Sequence, residues 1–201
     1  MGRADDVDLL GLLWRTWHEA GLGLAPDRWS APSGLGDWTV RELYAHVGRG
    51  VTTTSRLVAV AAEPELPDAA AYFRALRPLG DEGAAQVAAA ARDWAAARDL
   101  DTLVADFDEP AVTTLAAVRA TGTGAVTTIA GAMRLSDYVL TRVLEATVHL
   151  LDLVAAVPGA AEVPERALRR TVDVLADLAP PAELIALATG RASGAVFPVL
   201  T

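Results

Sequence analysis

The stretch from about Leu135 to Val157 limits what this chain can fold into more than any other part of it. Ser136 or Asp137 stands near its start and Pro158-Gly159 at its end, which are helix start and stop signals. Val143, Leu144, Val148, Leu150, Leu151, Leu153 and Val154 make most of it apolar, and Arg142, Glu145, His149 and Asp152 interrupt them. At about 100° per residue these four fall within one stripe roughly 80° wide. A helix apolar around most of its circumference has to be enclosed by other elements. The polar stripe therefore either faces solvent or faces a polar site inside the protein.

The rest of the chain supplies partners of the same kind. A first helix is expected from about Asp5 to Glu19, with Leu9, Leu10, Leu13, Trp17 and Ala20 at helical spacing and Gly21 and Gly23 ending it. A loop rich in Pro, Ser and Gly follows, from Pro26 to Gly36. Thr39-Val-Arg-Glu42 is a capping box, in which the threonine hydroxyl serves a free backbone N–H and the glutamate reaches back, and Trp38 before it suits a hydrophobic staple. Val40, Leu43, Val47 and Val51 continue that helix, which should end before Pro64. Pro67 to Pro78 predicts a short helix, alanine-rich Asp81 to about Asp99 a third long one, and Pro110 to Gly131 an extended loop or strand pair. Pro164 to Leu178 predicts a shorter helix and Glu183 to Thr189 another turn or two, with an extended tail to Thr201. The expected fold is all-α in the main, a four-helix bundle with extra short helices, in one domain over residues 1–201. Bundles of this kind build metal sites from inward-facing side chains.

Composition narrows the chemistry. The 201 residues include no cysteine, so disulfides, thiolate zinc sites and a nucleophilic thiol of the chain's own are excluded. Any thiol chemistry needs a thiol from outside. A net charge of -9 with no concentration of arginines repels phosphate backbones and anionic membrane surfaces, so neither nucleic acid nor membrane is an expected partner. The Met-Gly-Arg-Ala-Asp-Asp start lacks the pattern of a signal peptide, and no apolar run approaches the ~18 residues of a spanning helix. The expected location is the cytoplasm. Lysine and asparagine are absent while alanine and arginine abound, a pattern that suggests a GC-rich genome. No P-loop, dinucleotide fingerprint or nucleophile elbow is present.

The polar stripe gains meaning from a third residue. His46 lies on the side of the second helix shared by Leu43, Val47 and Gly50, with Glu42, Ala45 and Arg49 turned elsewhere, and Gly48 and Gly50 leave room beside it. Of three histidines, His46 and His149 occupy such positions, and His18 on the first helix has no visible partner. One reading is a satisfied core histidine and a solvated polar face. The other is a metal site of His46, Glu145 and His149. Two imidazoles and a carboxylate suit zinc, with an open coordination position as in catalytic sites, although nickel, iron or manganese could take the same ligands. Asp152 is then either a group that orients an imidazole or a surface aspartate. Arg142 either binds an anionic substrate or neutralises Glu145, and both are candidate catalytic residues.

The segments Gly36-Asp-Trp-Thr-Val-Arg-Glu-Leu-Tyr-Ala-His46 and Tyr138-Val-Leu-Thr-Arg-Val-Leu-Glu145-Ala-Thr-Val-His149-Leu-Leu-Asp152 resemble the two motifs of the mycothiol-dependent maleylpyruvate isomerase family, a branch of the DinB-like metal-binding bundles. The stretch from Ala188-Thr-Gly-Arg191 through Pro198-Val-Leu-Thr201 is similar to segments of shorter members. The resemblance implies a bundle that binds zinc through the histidine of the first motif and the glutamate and histidine of the second. It also implies use of mycothiol, the low-molecular-weight thiol of actinobacteria, as co-substrate. The isomerase itself carries a further C-terminal domain for which this chain is expected to have no room, so the implied reaction extends to the thiol S-transfer of related bundles. The partners expected are a small-molecule thiol and a small electrophile. A metal-dependent hydrolase, with Asp152 as the available base, and a non-enzymatic metal- or ligand-binding module stay open, as does a homodimer.

Overall fold

In the computed structural model, residues 3–61, 63–122 and 124–194 are described. The chain is mainly helical, with one small sheet, as expected of a DinB-like bundle. The helices are α1 (Arg3–Gly23), α2 (Val40–Ser55), α3 (Ala69–Leu76), α4 (Gly80–Ala96), α5 (Leu100–Ala105), α6 (Glu109–Ala120), α7 (Leu135–Ala156), α8 (Glu165–Leu178) and α9 (Pro181–Ala188). Short 3-10 turns at Pro26–Ser30 and Arg77–Leu79 precede α2 and α4. Strands β1 (Val58–Val60), β2 (Ala125–Thr128) and β3 (Gly131–Arg134) form an antiparallel sheet in that order, with Ala59 opposite Val126 and Val126 opposite Met133. No helix among the described residues is long and apolar enough to cross a membrane.

The enclosure that α7 demands is provided by α1, α2, α3 and α8. Tyr138, Val139, Val143, Leu144, Ala146, Leu150 and Leu153 of α7 are buried in one core with Leu9, Leu10, Leu13 and Trp17 of α1 and Val40, Leu43 and Tyr44 of α2. The capping box starts α2: the Glu42 backbone N–H donates to Thr39 Oγ1 at 3.3 Å, and the Thr39 N–H donates to Glu42 Oε2 at 2.7 Å. Two buried hydrogen bonds fix the registers of α1, α2 and α7. Trp17 Nε1 donates to the Ala146 carbonyl at 3.0 Å, and Tyr44 Oη donates to the Trp17 carbonyl at 2.8 Å.

Several expectations change. α1 continues through Gly21 to Gly23, because Gly21 is a packing position rather than a stop. A Cβ there would come within 2.8 Å of Tyr44 Cζ and of Val104 Cγ2. The range Pro110 to Gly131, expected to be a loop or strand pair, is helical over α6, and a strand pair occupies only its end, β2 with β3 beginning at Gly131. Pro110 occupies the first turn of α6, where a missing N–H costs nothing. Ala111, Thr114, Leu115 and Val118 then bury a helical stripe despite the low propensity of β-branched residues. Contacts close the ring α1–α7–α2–α6, whereas α4, expected as a bundle member, packs mainly on the outside of α2 through Ala91 and Ala95. The end of the expected tail, residues 195–201, lies outside the described residues.

A candidate metal centre in an open cavity

The α2–α7 contact places His46, midway along α2, opposite Glu145 and His149, which are one turn apart on α7. Both imidazoles present Nε2 to the same oxygen, Glu145 Oε2, at 3.5 Å from His46 and 3.6 Å from His149. One ligand atom from each residue lies within 4.8 Å of the others. A tetrahedral ion bound at about 2.0–2.2 Å has ligand–ligand edges of roughly 3.3–3.6 Å. The two separations from Glu145 Oε2 match such edges, and the donor set fits a divalent metal.

The surroundings hold the two rings differently. His149 Nδ1 lies 2.9 Å from Asp152 Oδ2, so the aspartate fixes the ring with Nε2 turned inward. His46 Nδ1 is buried and has no hydrogen-bond partner among the described residues. That ring rests against Trp38 instead, edge to face with centroids 5.4 Å apart. Burial lowers the His46 pKa, only partly offset by the hydrogen bond to Glu145. Burial also opposes the charged forms of Glu145 and His149, but their mutual hydrogen bonding outweighs it. Glu145 is held well below the usual carboxylate range by His149, His46 and the Arg142 charge. His149 is raised to about 9 by Asp152 and Glu145. The pocket thus favours an ionised Glu145, a protonated His149 and a neutral His46.

The three ligand atoms sit in the wall of an open cavity of about 1370 Å³. Trp14, Trp38, Val47, Tyr72, Tyr138 and Arg142 line it near the site, and α4 together with the β2–β3 turn forms part of its wall. Arg142 Nε donates to Thr141 Oγ1 at 3.1 Å, and its guanidinium lies 5.0 Å from the Tyr138 ring and 5.7 Å from the Tyr72 ring. Asp152 does not line the cavity; it stands behind His149.

The family model of the mycothiol maleylpyruvate isomerase N-terminal domain matches residues 10–154. The chain belongs to this family. No curated protein and no solved structure matches it. The match spans α2 and nearly all of α7, so both helices that carry the candidate ligands lie within the shared region. Two details differ from the sequence expectation. Gly48 makes no room for the site: a Cβ there would meet Asp106 and Phe107 at 3.3–3.4 Å, whereas Gly50 does face the cavity. Arg49, expected to turn elsewhere, lines the same cavity as His46. Sequence reasoning also missed Tyr72, Tyr138 and Arg56 as lining residues. Tyr138, one turn before Arg142, was accessible to a spacing argument; Tyr72 on α3 carried no local signal.

Proposed function

We propose that this chain is a metal-dependent thiol transferase or isomerase, with mycothiol as nucleophile and a small electrophile as acceptor. The observation that carries the reading is the opening of His46, Glu145 and His149 onto one large cavity in a protein without cysteine. A divalent ion held there, zinc by donor type or nickel, iron or manganese with the same ligands, supplies Lewis acidity that favours thiolate over thiol at neutral pH. The chain's residues do the rest. His46, Glu145 and His149 would hold the ion at the cavity wall. Asp152 is a positioning residue that acts through His149 Nδ1. Arg142 offers fixed donors to polar parts of a large hydrophilic thiol. In conjugation the sulfur forms a bond to the electrophilic carbon and the thiol proton departs with the leaving group. In isomerisation the C–S bond forms, rotation follows, and elimination returns the thiol.

Hydrolysis is the weaker reading because it needs a free carboxylate base beside the attacking water. Asp152 is engaged with His149 and lies off the cavity wall, and Asp37, which does line it, is paired with Arg92 at 2.6 Å. Cobalt substitution distinguishes the readings. Saturating mycothiol should produce a sulfur-to-cobalt charge-transfer band in the near ultraviolet, and an electrophile should then be consumed together with the thiol. An unchanged spectrum with turnover of simple esters or amides would establish a hydrolase. A thiol-dependent band with no turnover of any electrophile would indicate a binding module. The reaction belongs in the cytoplasm, where small thiols are kept reduced.

A further inference from the structure

The cavity is electrically lopsided, and the uncommitted charge lies on α2. Arg49 stands one turn beyond His46, and Arg56 caps the C-terminal end of the same helix; at that spacing both lie on one face, and both line the cavity. Arg49 Nε is buried with no hydrogen-bond partner among the described residues, and neither arginine forms an ion pair with a described carboxylate. The other cavity arginines are occupied. Arg92 binds Asp37 at 2.6 Å and approaches Glu42 at 3.4 Å, while Arg142 rests over two tyrosine rings. Arg56 has a structural explanation, since a cation complements a helix C-terminus. Arg49 lies too far from that end to share it.

A buried guanidinium N–H with no acceptor is uncommon in native proteins; Arg41 Nε shares that state, but Arg41 Nη2 donates to the Ala95 and Arg98 carbonyls. Arg49 also lines the cavity, so a molecule bound there is an available acceptor. The surrounding protein carries a net charge of -9, so positive potential in this recess is a local feature and not the general background. The same cavity wall includes the exposed apolar side chains of Val58, Val87 and Ile129.

We propose that Arg49, assisted by Arg56, forms an anion-binding subsite separate from the metal ligands. It holds the acidic group (carboxylate, sulfonate or phosphate) of the electrophilic reactant, and the apolar remainder of that molecule lies against Val58, Val87 and Ile129. The inference deepens the thiol-transfer reading by assigning a chemical class to the second reactant. The planar guanidinium matches an oxyanion with two parallel N–H donors, which fixes the direction from which the molecule approaches the metal-facing end of the cavity.

The test uses two dyes of like shape and unlike charge, 8-anilinonaphthalene-1-sulfonate and neutral N-phenyl-1-naphthylamine, titrated by fluorescence into the metal-loaded and the chelated protein. Loss of a charge-assisted hydrogen-bonded pair predicts that Arg49→Gln weakens sulfonate binding by roughly tenfold or more. Arg56→Gln should weaken it by about threefold, as for an exposed charge. Arg49→Lys should restore part of the loss, and the neutral dye should change by less than about twofold throughout, as it lacks the charged group. Equal loss for both dyes would overturn the proposal by making Arg49 a packing residue. An Arg49 effect that vanishes on chelation would overturn it by placing the anion on the metal, and so would no effect at all. If Arg49→Gln fails to fold, Arg49→Lys and Arg56→Gln decide by the same comparison. No thiol or turnover enters the measurement, so its failure is distinct from failure of the thiol-transfer reading.

Discussion

Replacing Asp152 by alanine should weaken zinc binding, and by an amount that depends on pH in a defined direction. Asp152 Oδ2 lies 2.9 Å from His149 Nδ1 and holds Nε2 toward the metal position. Loss of such an outer partner costs about 10–100-fold in metal affinity, or roughly 1.4–2.7 kcal/mol. Asp152→Asn can still accept from Nδ1–H and should fall at the low end of that range. A second effect opposes the first. Asp152 and Glu145 together raise His149 to about 9, so below that pH the metal-free protein holds a proton that zinc must displace. Each pH unit below the His149 pKa therefore lowers the apparent affinity about tenfold. Removing Asp152 lowers that pKa and with it the proton competition. The wild-type advantage should be small near pH 6.5, grow with rising pH and level off as pH approaches 9.

Competition for zinc with a chromophoric chelator, run at pH 6.5, 7.5 and 8.5, measures the advantage directly. Calorimetry of wild-type protein in buffers of different ionisation enthalpy at pH 7.5 should register release of about one proton on binding, from His149 alone, because His46 is already lowered toward its neutral form. A wild-type advantage independent of pH, or an Asp152→Ala protein within twofold of wild type at pH 8.5, would refute the assigned role of Asp152.

Two further outcomes follow from packing. Gly21→Ala should destabilise the protein by about 1–3 kcal/mol through overpacking, because the new Cβ meets Tyr44 and Val104. At about 2–4 °C per kcal/mol for a chain of this size, calorimetry should show a clear fall in Tm, and an unchanged Tm would contradict the close approach of α1 and α2. Zinc at 100 times its dissociation constant adds about 2.7 kcal/mol to the folded state, so chelation should lower Tm while leaving far-UV circular dichroism helical at 25 °C. Collapse of the helical signal on chelation would mean that the core cannot form without metal.

How far the sequence could be read depended on whether local rules or distant partners decided a feature. α2 and α7 were legible because a capping box starts one and a proline–glycine pair follows the other, with a sustained apolar period in both. The three residues whose ligand atoms come together were legible as a stripe plus one histidine, since helical spacing alone aligns Glu145 with His149. α6 was obscured by its threonines and valines, whose propensity argues against the helix that burial on α1 and α2 selects. Gly21 and Gly48 misled for a related reason. A glycine in sequence says only that a side chain is absent, and the partner that requires its absence, Tyr44 in one case and Asp106 with Phe107 in the other, lies elsewhere in the chain.

The cavity was the least legible feature, and its construction explains why. α4 buries only Ala91 and Ala95 in the core, so its apolar pattern carried little information about where it sits. Yet Ala84, Ala85, Val87 and Ala88 of that helix, together with the β2–β3 turn, supply a wall of the cavity that the metal-ligand candidates face. A helix of small side chains fixed near its C-terminal end leaves space beside its N-terminal half instead of filling it. The candidate chemistry is thus set by two helices with strong local signals, whereas the room for a second reactant comes from an element whose sequence is nearly silent. On the thiol-transfer reading, substitutions that enlarge side chains along the first half of α4 should change which electrophiles are turned over while leaving the measured zinc affinity intact, a separation that a defect in the α2–α7 pairing could not produce.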